Sequence, residues 1–367
     1  MSFENGSITF RMFYVDQAMP KDVVERFARH AAPPLKSIGT GAVSGWVGGR
    51  HLLDVPITEE NAFYGGYLRL VLRKAERKVP TSLLRAECQI EEAVHLRAEG
   101  KSFVDRKTRS EIRKSVLQRL LPEMPPTLLG IPFVYDHSVR LLFAGATSEA
   151  QTDAFTFHFH HTTGLKLIPI TTGTAAAKRQ GVNILDWARS SFSPEVADDE
   201  MEDAPAHDFL TWVWFVAEAR GGIFTSAAHG EVGVAIEGPL LITRAGDGAH
   251  EIALRKGLPT VSAEAKTALL SGKKLRRAKL LLARADEAWT CAFDADAFVC
   301  RGLKLPEPKE ALDPASRFQD RMIRLGVFQD LLFELFDRFV AERRDAKKWA
   351  VTQKQIHQWV ADRSTRR

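Results

Sequence analysis

Cysteine is scarce in these 367 residues: Cys88, Cys291 and Cys300 are the only three, with no CxxC spacing and an odd one left over. That excludes a disulfide framework and a cysteine-rich zinc module. It suits thiols buried as small hydrophobes in a reducing cytoplasm. No run of about 18 apolar residues occurs, so no membrane span is predicted. No cationic segment followed by an apolar one opens MSFENGSITFRMF, so no signal peptide is expected. GxSxG, HExxH and GxxxxGK[ST] are absent too. Gly221-Gly222 and Gly246-Asp247-Gly248 lack the strand and helix context in which glycines cradle phosphate. Nothing argues for catalysis, and no cofactor is expected. A net charge of only +5 also removes the simplest sign of a polyanion partner, a large uniform excess of base.

What is present is charge set apart in blocks. Tyr67 to Lys78 holds five basic residues and one acid, and Lys266 to Arg284 holds seven basic residues and no acid. Arg338 to Arg367 is again basic, while acids gather in Glu195 to Asp208. Segregation of this kind permits a positive patch despite a small net charge. With 45% hydrophobic residues the chain can bury a sizeable core, and its length has room for roughly two or three domains.

Periodicity predicts an α+β protein with mostly antiparallel sheet and long helices. Strands are expected at 7–15, 67–73, 128–135, 139–144, 165–170, 232–243, 251–255, 275–284 and 289–305, the last carrying a hinge at Asp294-Ala295-Asp296. Helices are expected at 21–31, from Pro80 through Val94, at 148–161, 183–191, 209–219, 263–270 and 314–344. Gly39 to Gly49 reads as a glycine-rich connection with Trp46 in a packed turn, and Ala245 to Gly248 as a turn. The expected division is an N-terminal α+β region over 1–193 with a basic helix at 102–121, and an acidic linker or loop at 194–207. A second α+β region over 208–310, a closing amphipathic helix at 311–344 and a basic tail at 345–367 complete it.

The basic helix lies in the stretch from Arg97 to Pro122. Its first half carries Arg106, Lys107, Arg109, Arg113 and Lys114, and its second half Ile112, Val116, Leu117, Leu120 and Leu121. At about 100° per residue the five cations fall within an arc of roughly 160°. A helix so built is rooted in a core at one end and offers a cationic end to something negative, most simply a phosphate backbone. Lys273, Lys274, Arg276, Arg277 and Lys279 straddle a helix stop and a strand, and Arg69, Arg73, Lys74 and Lys78 cluster on another. If these regions line one concave surface, they would hold nucleic acid by charge alone and without sequence preference.

Other residues invite chemistry less well. His158 and His160 point about 200° apart on a helix and cannot share an ion; His158 and His161 could, at i and i+3, but no paired acid or cysteine lies nearby in sequence. No metal site is expected. Asp294 and Asp296 would be the carboxylates of a metal-dependent exonuclease, the alternative reading, but DAD between strands is more often turn chemistry. Trp212, Trp214 and Phe215 could stack bases; among Leu210 and Val213 they read as core. A protein-interaction scaffold with solvated basic faces is the third reading.

Several features together resemble the RdgC family of recombination-associated proteins. They are Leu72 to Pro80 (LRKAERKVP) before a helix, the basic helix closing on Leu120-Leu121-Pro122, and the hairpin, helix and LKLIPI run to Ile170. The ordered motifs from Val261 to Leu305 and the long closing helix add to them, so that the similarity spans about residues 7 to 342. The resemblance implies an α+β homodimer closed into a ring, with duplex DNA passing through a basic hole. It implies restraint of RecA-driven strand exchange by occupancy of DNA, and a cytoplasmic, nucleoid-associated location. The family has sometimes been labelled an exonuclease. On this chain Arg106, Arg109 and Arg113 fall where the family keeps basic residues, and Lys273 and Lys279 at its Gly-Lys and Lys-Leu positions. Two departures stand out: Glu123-Met124-Pro125 replaces Arg-Ala-Phe at a subunit contact, and the segment around 194–230 and the tail beyond Arg344 have no counterpart.

Overall fold

The structure, a computed structural model, describes residues 3–201, 204–244, 250–308 and 312–362. The expected turn at 245–248 and the end of the expected tail lie outside them. The strands are β1 (Ile8–Val15), β2 (Val43–Gly48), β3 (Phe63–Tyr64), β4 (Tyr67–Arg77), β5 (Pro126–Asp136), β6 (Leu141–Ala144), β7 (Leu167–Pro169), β8 (Ile223–Ser226), β9 (Gly230–Thr243), β10 (Glu251–Leu254), β11 (Lys274–Arg284), β12 (Glu287–Asp294) and β13 (Val299–Lys304). The helices are α1 (Val23–Arg29), α2 (Glu59–Ala62), α3 (Thr81–Glu99), α4 (Arg106–Leu120), α5 (Glu149–Thr163), α6 (Thr172–Gln180), α7 (Pro205–Ala219), α8 (Ala263–Leu270), α9 (Pro314–Arg343) and α10 (Ala346–Asp362).

All the strands join one antiparallel sheet, in the order β10-β9-β11-β12-β13-β1-β6-β5-β4-β2, with β3, β7 and β8 paired beside it. The protein is therefore α+β. Strands from both sides of the acidic stretch share the sheet, because β1 pairs with β13 on one side and β6 on the other. β1 is buried on both faces. Ile8, Phe10, Met12 and Tyr14 face a large core with α7 and α9, while Phe13 and Val15 face a second core with α1 and α5. The two helical layers thus cover opposite faces of the two halves of the sheet.

Long-period apolar patterns produce the helices they predict. In α9, Phe328, Leu331, Leu332, Leu335, Phe336 and Phe339 are all buried, and Asp313 caps the first turn by accepting from the Ala315 and Ser316 N–H groups. Trp212, Trp214 and Phe215 are core residues of α7. Ser262 caps α8 through the Ala265 N–H.

Three expectations fail for local reasons. Gly39 to Gly49 is not merely a connection: it contains β2, whose Trp46 is buried and donates to Thr162 Oγ1 at 2.8 Å. Gly45 is needed there because a Cβ would come within 2.5 Å of the Ala32 backbone. The predicted helix at 183–191 is only a 3₁₀ turn at Ile184–Asp186. Side chains take over its backbone groups: Asn183 accepts from the Leu185 N–H and Asp198 from the Ser191 N–H, which competes with helix formation. The tail is not a plain polar extension. Residues 346–362 form α10, which buries Trp349, Thr352, Ile356 and Val360.

Candidate nucleic-acid interface

The ends of β4 and β5 run on past β2 and β6 as a ribbon, with Glu76 opposite Thr127 and Arg77 opposite Pro126. From its end rises an arm of two helices. Gly100, at φ +64°, ends α3, so Arg97 belongs to α3 and the basic helix begins only at Arg106. Its start is set by Asp105, whose carboxylate accepts from the Lys107 and Thr108 N–H groups and the Thr108 hydroxyl. These bonds, the Thr108 side chain first, hold the Asp105 pKa down to about 2. The arm has a core of its own, with Leu84 of α3 against Val116 and Leu120 of α4, and Ile112 and Leu117 at its margin. Glu123 and Met124 lie where α4 returns to the ribbon, and Met124 O accepts from Arg77.

This core turns the other side of α4 outward. Arg106, Lys107, Arg113 and Lys114 are exposed, and none has a carboxylate partner among the described residues. They occupy an arc of roughly 120°, with Arg106 and Arg113 about 10 Å apart along the axis. Arg109 stands on the side facing α3 and pairs with Glu92 at 3.2 Å. Arg119 is likewise bound to Glu87 and Glu91 at 3.0 and 3.1 Å.

The β4 cluster does not form a cationic face. Arg73 is only 1% exposed and donates to the carbonyls of Leu52 and Pro33. Arg69 is buried against Glu4, Tyr64 and Phe318. The segment around 32–52 folds over this face and closes a small core of Ala32, Val47, Val71 and Leu52. Arg73 is thus corrected from a contact residue to an internal clamp, and burial lowers its pKa. Lys74 stays half-exposed but pairs with Glu76 at 3.2 Å, as Lys78 also does. Lys78 and Lys74 together pull the Glu76 pKa down.

On β11 the basic run divides. Lys274 points inward, 3% exposed, donates to Ser190 O at 2.7 Å and pairs with Asp208, so it is no surface contact. Lys273 stays near the surface and reaches the Ser271 hydroxyl at 3.1 Å. Arg277 pairs with Asp294 on β12, and Lys279 with Glu237 on β9 at 2.6 Å.

Register shows what those two residues belong to. Arg277, Asp294, Val299 and Arg11 are successive partners across β11, β12, β13 and β1; Glu237, Lys279, Ala292 and Arg301 form the neighbouring row. The helices α7 and α9 pack on the opposite face; on this one Asp294 and Val299 are buried and the other six side chains are partly or fully exposed. Arg301 donates to the Thr147 hydroxyl and carbonyl at 3.1 and 3.2 Å, and Arg11 to the Thr152 hydroxyl at 3.2 Å; neither has a paired carboxylate among the described residues. Burial lowers the Arg11 pKa against the pull of Asp294 and Asp153. Sequence reasoning missed both residues. The available signal was a single arginine within a largely apolar strand, ITFRMFYV in β1 and VCRGLK in β13.

The carboxylates of the nuclease reading are engaged by cations. Asp294 is 4% exposed beneath Arg277. Asp296 lies 2.6 Å from both His207 and Arg276. Burial raises its pKa, but those two partners outweigh burial and leave it lowered. The histidines of α5 are spread out: His160 meets Leu165 O at 3.2 Å, and the His161 ring packs on His30 at 5.0 Å. Among the described residues no group of three or more His, Cys, Asp or Glu is placed to hold a metal. Nor, among them, is any helix long and apolar enough to cross a membrane.

No family model matches the chain, and no curated protein does.

Proposed function

We propose that this chain binds double-stranded DNA without sequence preference, as a homodimer, and works by occupying the duplex. The observation that carries the reading is the row Arg106, Lys107, Arg113 and Lys114, exposed and without paired carboxylates among the described residues, on a helix that has its own core. Leaving four such cations side by side costs mutual repulsion, which a polyanion relieves. The open sheet face adds Arg11 and Arg301, with Arg277 and Lys279 partly neutralised by Asp294 and Glu237. These cations meet backbone phosphate in this reading, so the binding falls with salt.

The resemblance to the RdgC family supports the finer part. A paired, ring-like assembly on nucleoid DNA would limit the access of RecA or a similar recombinase, with no direct contact between the two required. Catalysis is no part of the proposal.

Replacing Arg106, Lys107, Arg113 and Lys114 together by alanine tests it by fluorescence anisotropy on two unrelated duplexes. The expected result is an equal loss on both and a salt slope shallower by about 3 to 4 units. An unchanged slope takes α4 out of the interface.

A further inference from the structure

Among the described residues the path of the long sheet ends at β2 and at β10, and only the β2 end is closed. Along β2 the outer edge is capped: Trp46 N–H donates to His30 O at 3.0 Å, Ala32 N–H to Trp46 O at 2.7 Å, and Gly48 N–H to Asp54 O at 2.7 Å. The opposite edge carries β8 along Gly230–Gly233 of β9 and, along Leu240–Thr243, β10. The residues of β10 pair with β9 on one side only, and among the described residues no other backbone segment bonds to them. Beside β10 lies an apolar groove of ≈ 500 Å³ between the strand and α8, lined by Ile252, Leu254, Ala263, Thr267, Ala268 and Lys273. Leu258, just past the strand, is 61% exposed.

Exposed edges usually carry a defence against pairing, such as shortness or a nearby cation. β10 is short and is followed by Arg255 and Lys256. Its sequence, however, is complementary to itself. In an antiparallel pair with Ala253 opposite Ala253, Ile252 meets Leu254 and Glu251 meets Arg255. Both matches occur twice, as a two-fold axis requires. Arg255 is exposed and has no carboxylate partner among the described residues. Glu251 accepts from Arg276 at 3.1 Å through one oxygen, leaving the other for a second guanidinium. A slip of one residue would set Ile252 against Ala253 or Arg255. The aligned register instead keeps the apolar pair on the groove side, where Ile252 and Leu254 already pack on the core.

We infer that β10 pairs with the β10 of a second copy of this chain, continuing the sheet from one subunit into the next and covering the groove beside α8. The inference rests on the homodimer reading above and assigns that dimer one interface. It uses the sheet edge, not the cationic surfaces, so association and DNA binding are separable.

The test is sedimentation of the full-length protein as wild type, Arg255→Glu, Glu251→Arg, and an equal mixture of the two variants. Either variant alone sets like charges opposite each other and should weaken self-association by at least about tenfold. The mixture should restore it, since one chain then carries two acids at positions 251 and 255 and its partner two bases. A further variant, Ala253→Cys, should form a covalent dimer on mild oxidation, because directly opposed strand residues bring their Cα atoms within disulfide range. Circular dichroism melts check that each variant folds, and duplex anisotropy is read on the same samples. A wild-type dimer that Arg255→Glu leaves intact, with no Ala253→Cys cross-link, overturns this surface and spares the homodimer. A monomeric wild type overturns both and leaves DNA binding to stand on its own measurement.

Discussion

Asp208 is a carboxylate only 4% exposed, and two cations from distant parts of the chain meet it there. Lys274 pairs with it directly, and Arg343 reaches to 4.0 Å while stacking on Trp349 with its centre 4.7 Å from the ring. Removing one partner of such a pair strands the other charge in a poor solvent. Lys274→Met is therefore predicted to cost about 3 kcal/mol, the lower end of the usual range because Arg343 remains. Thermal or denaturant unfolding measures this, and the duplex affinity of the folded protein should not change. A variant of normal stability with weakened binding would return Lys274 to the interface. Arg73 follows the same logic with carbonyl partners in place of a carboxylate. In both, a long side chain on a basic segment fastens loops to the sheet. Residue type alone does not distinguish these from Arg113 or Lys114, because the distinction lies in which segments fold over them.

Among the elements, α4 depends most on its first turn, which carries Arg106 and Lys107 and is held by Asp105. The pKa of that carboxylate is about 2, below the usual value near 3.9. Its stabilisation is complete above the ordinary value and is lost as pH falls through about 2. Asp105→Ala is predicted to fray the first turn at neutral pH. Hydrogen exchange would then quicken at the amides of Lys107 and Thr108, with little change in the sheet. Exchange that stays as slow as in the wild type would show that tertiary packing, not the cap, fixes the start of α4. Elements with a wide apolar stripe or a clear cap were legible in the sequence, as α7, α8 and α9 illustrate. α10 was not, since it offers one buried residue per turn, Trp349, Thr352, Ile356 and Val360, among charges that mask the stripe. The region 183–191 misled in the other direction. Its side chains satisfy the backbone locally, an outcome that periodicity does not encode.

At the scale of the whole molecule, the class was legible and the layout was not. Alternating strands and long helices pointed to antiparallel α+β. Nothing local could show that β1 would sit in mid-sheet beside β13, nearly the full length of the chain away. The candidate surface shares that limit. The row on α4 follows from helical spacing, whereas Arg11 and Arg301 are brought near each other only by the register of β1 and β13. Charge blocks therefore overstate the surface where loops cover them and understate it where strands assemble it.

The most direct measurement is duplex affinity as a function of salt, by anisotropy from about 50 to 200 mM, on two unrelated sequences. Six cations without paired carboxylates among the described residues, four on α4 with Arg11 and Arg301, predict a slope of about −5 per engaged chain, the same for both sequences. A slope shallower than about −2, or binding that depends on sequence, would contradict an interface made of phosphate contacts alone.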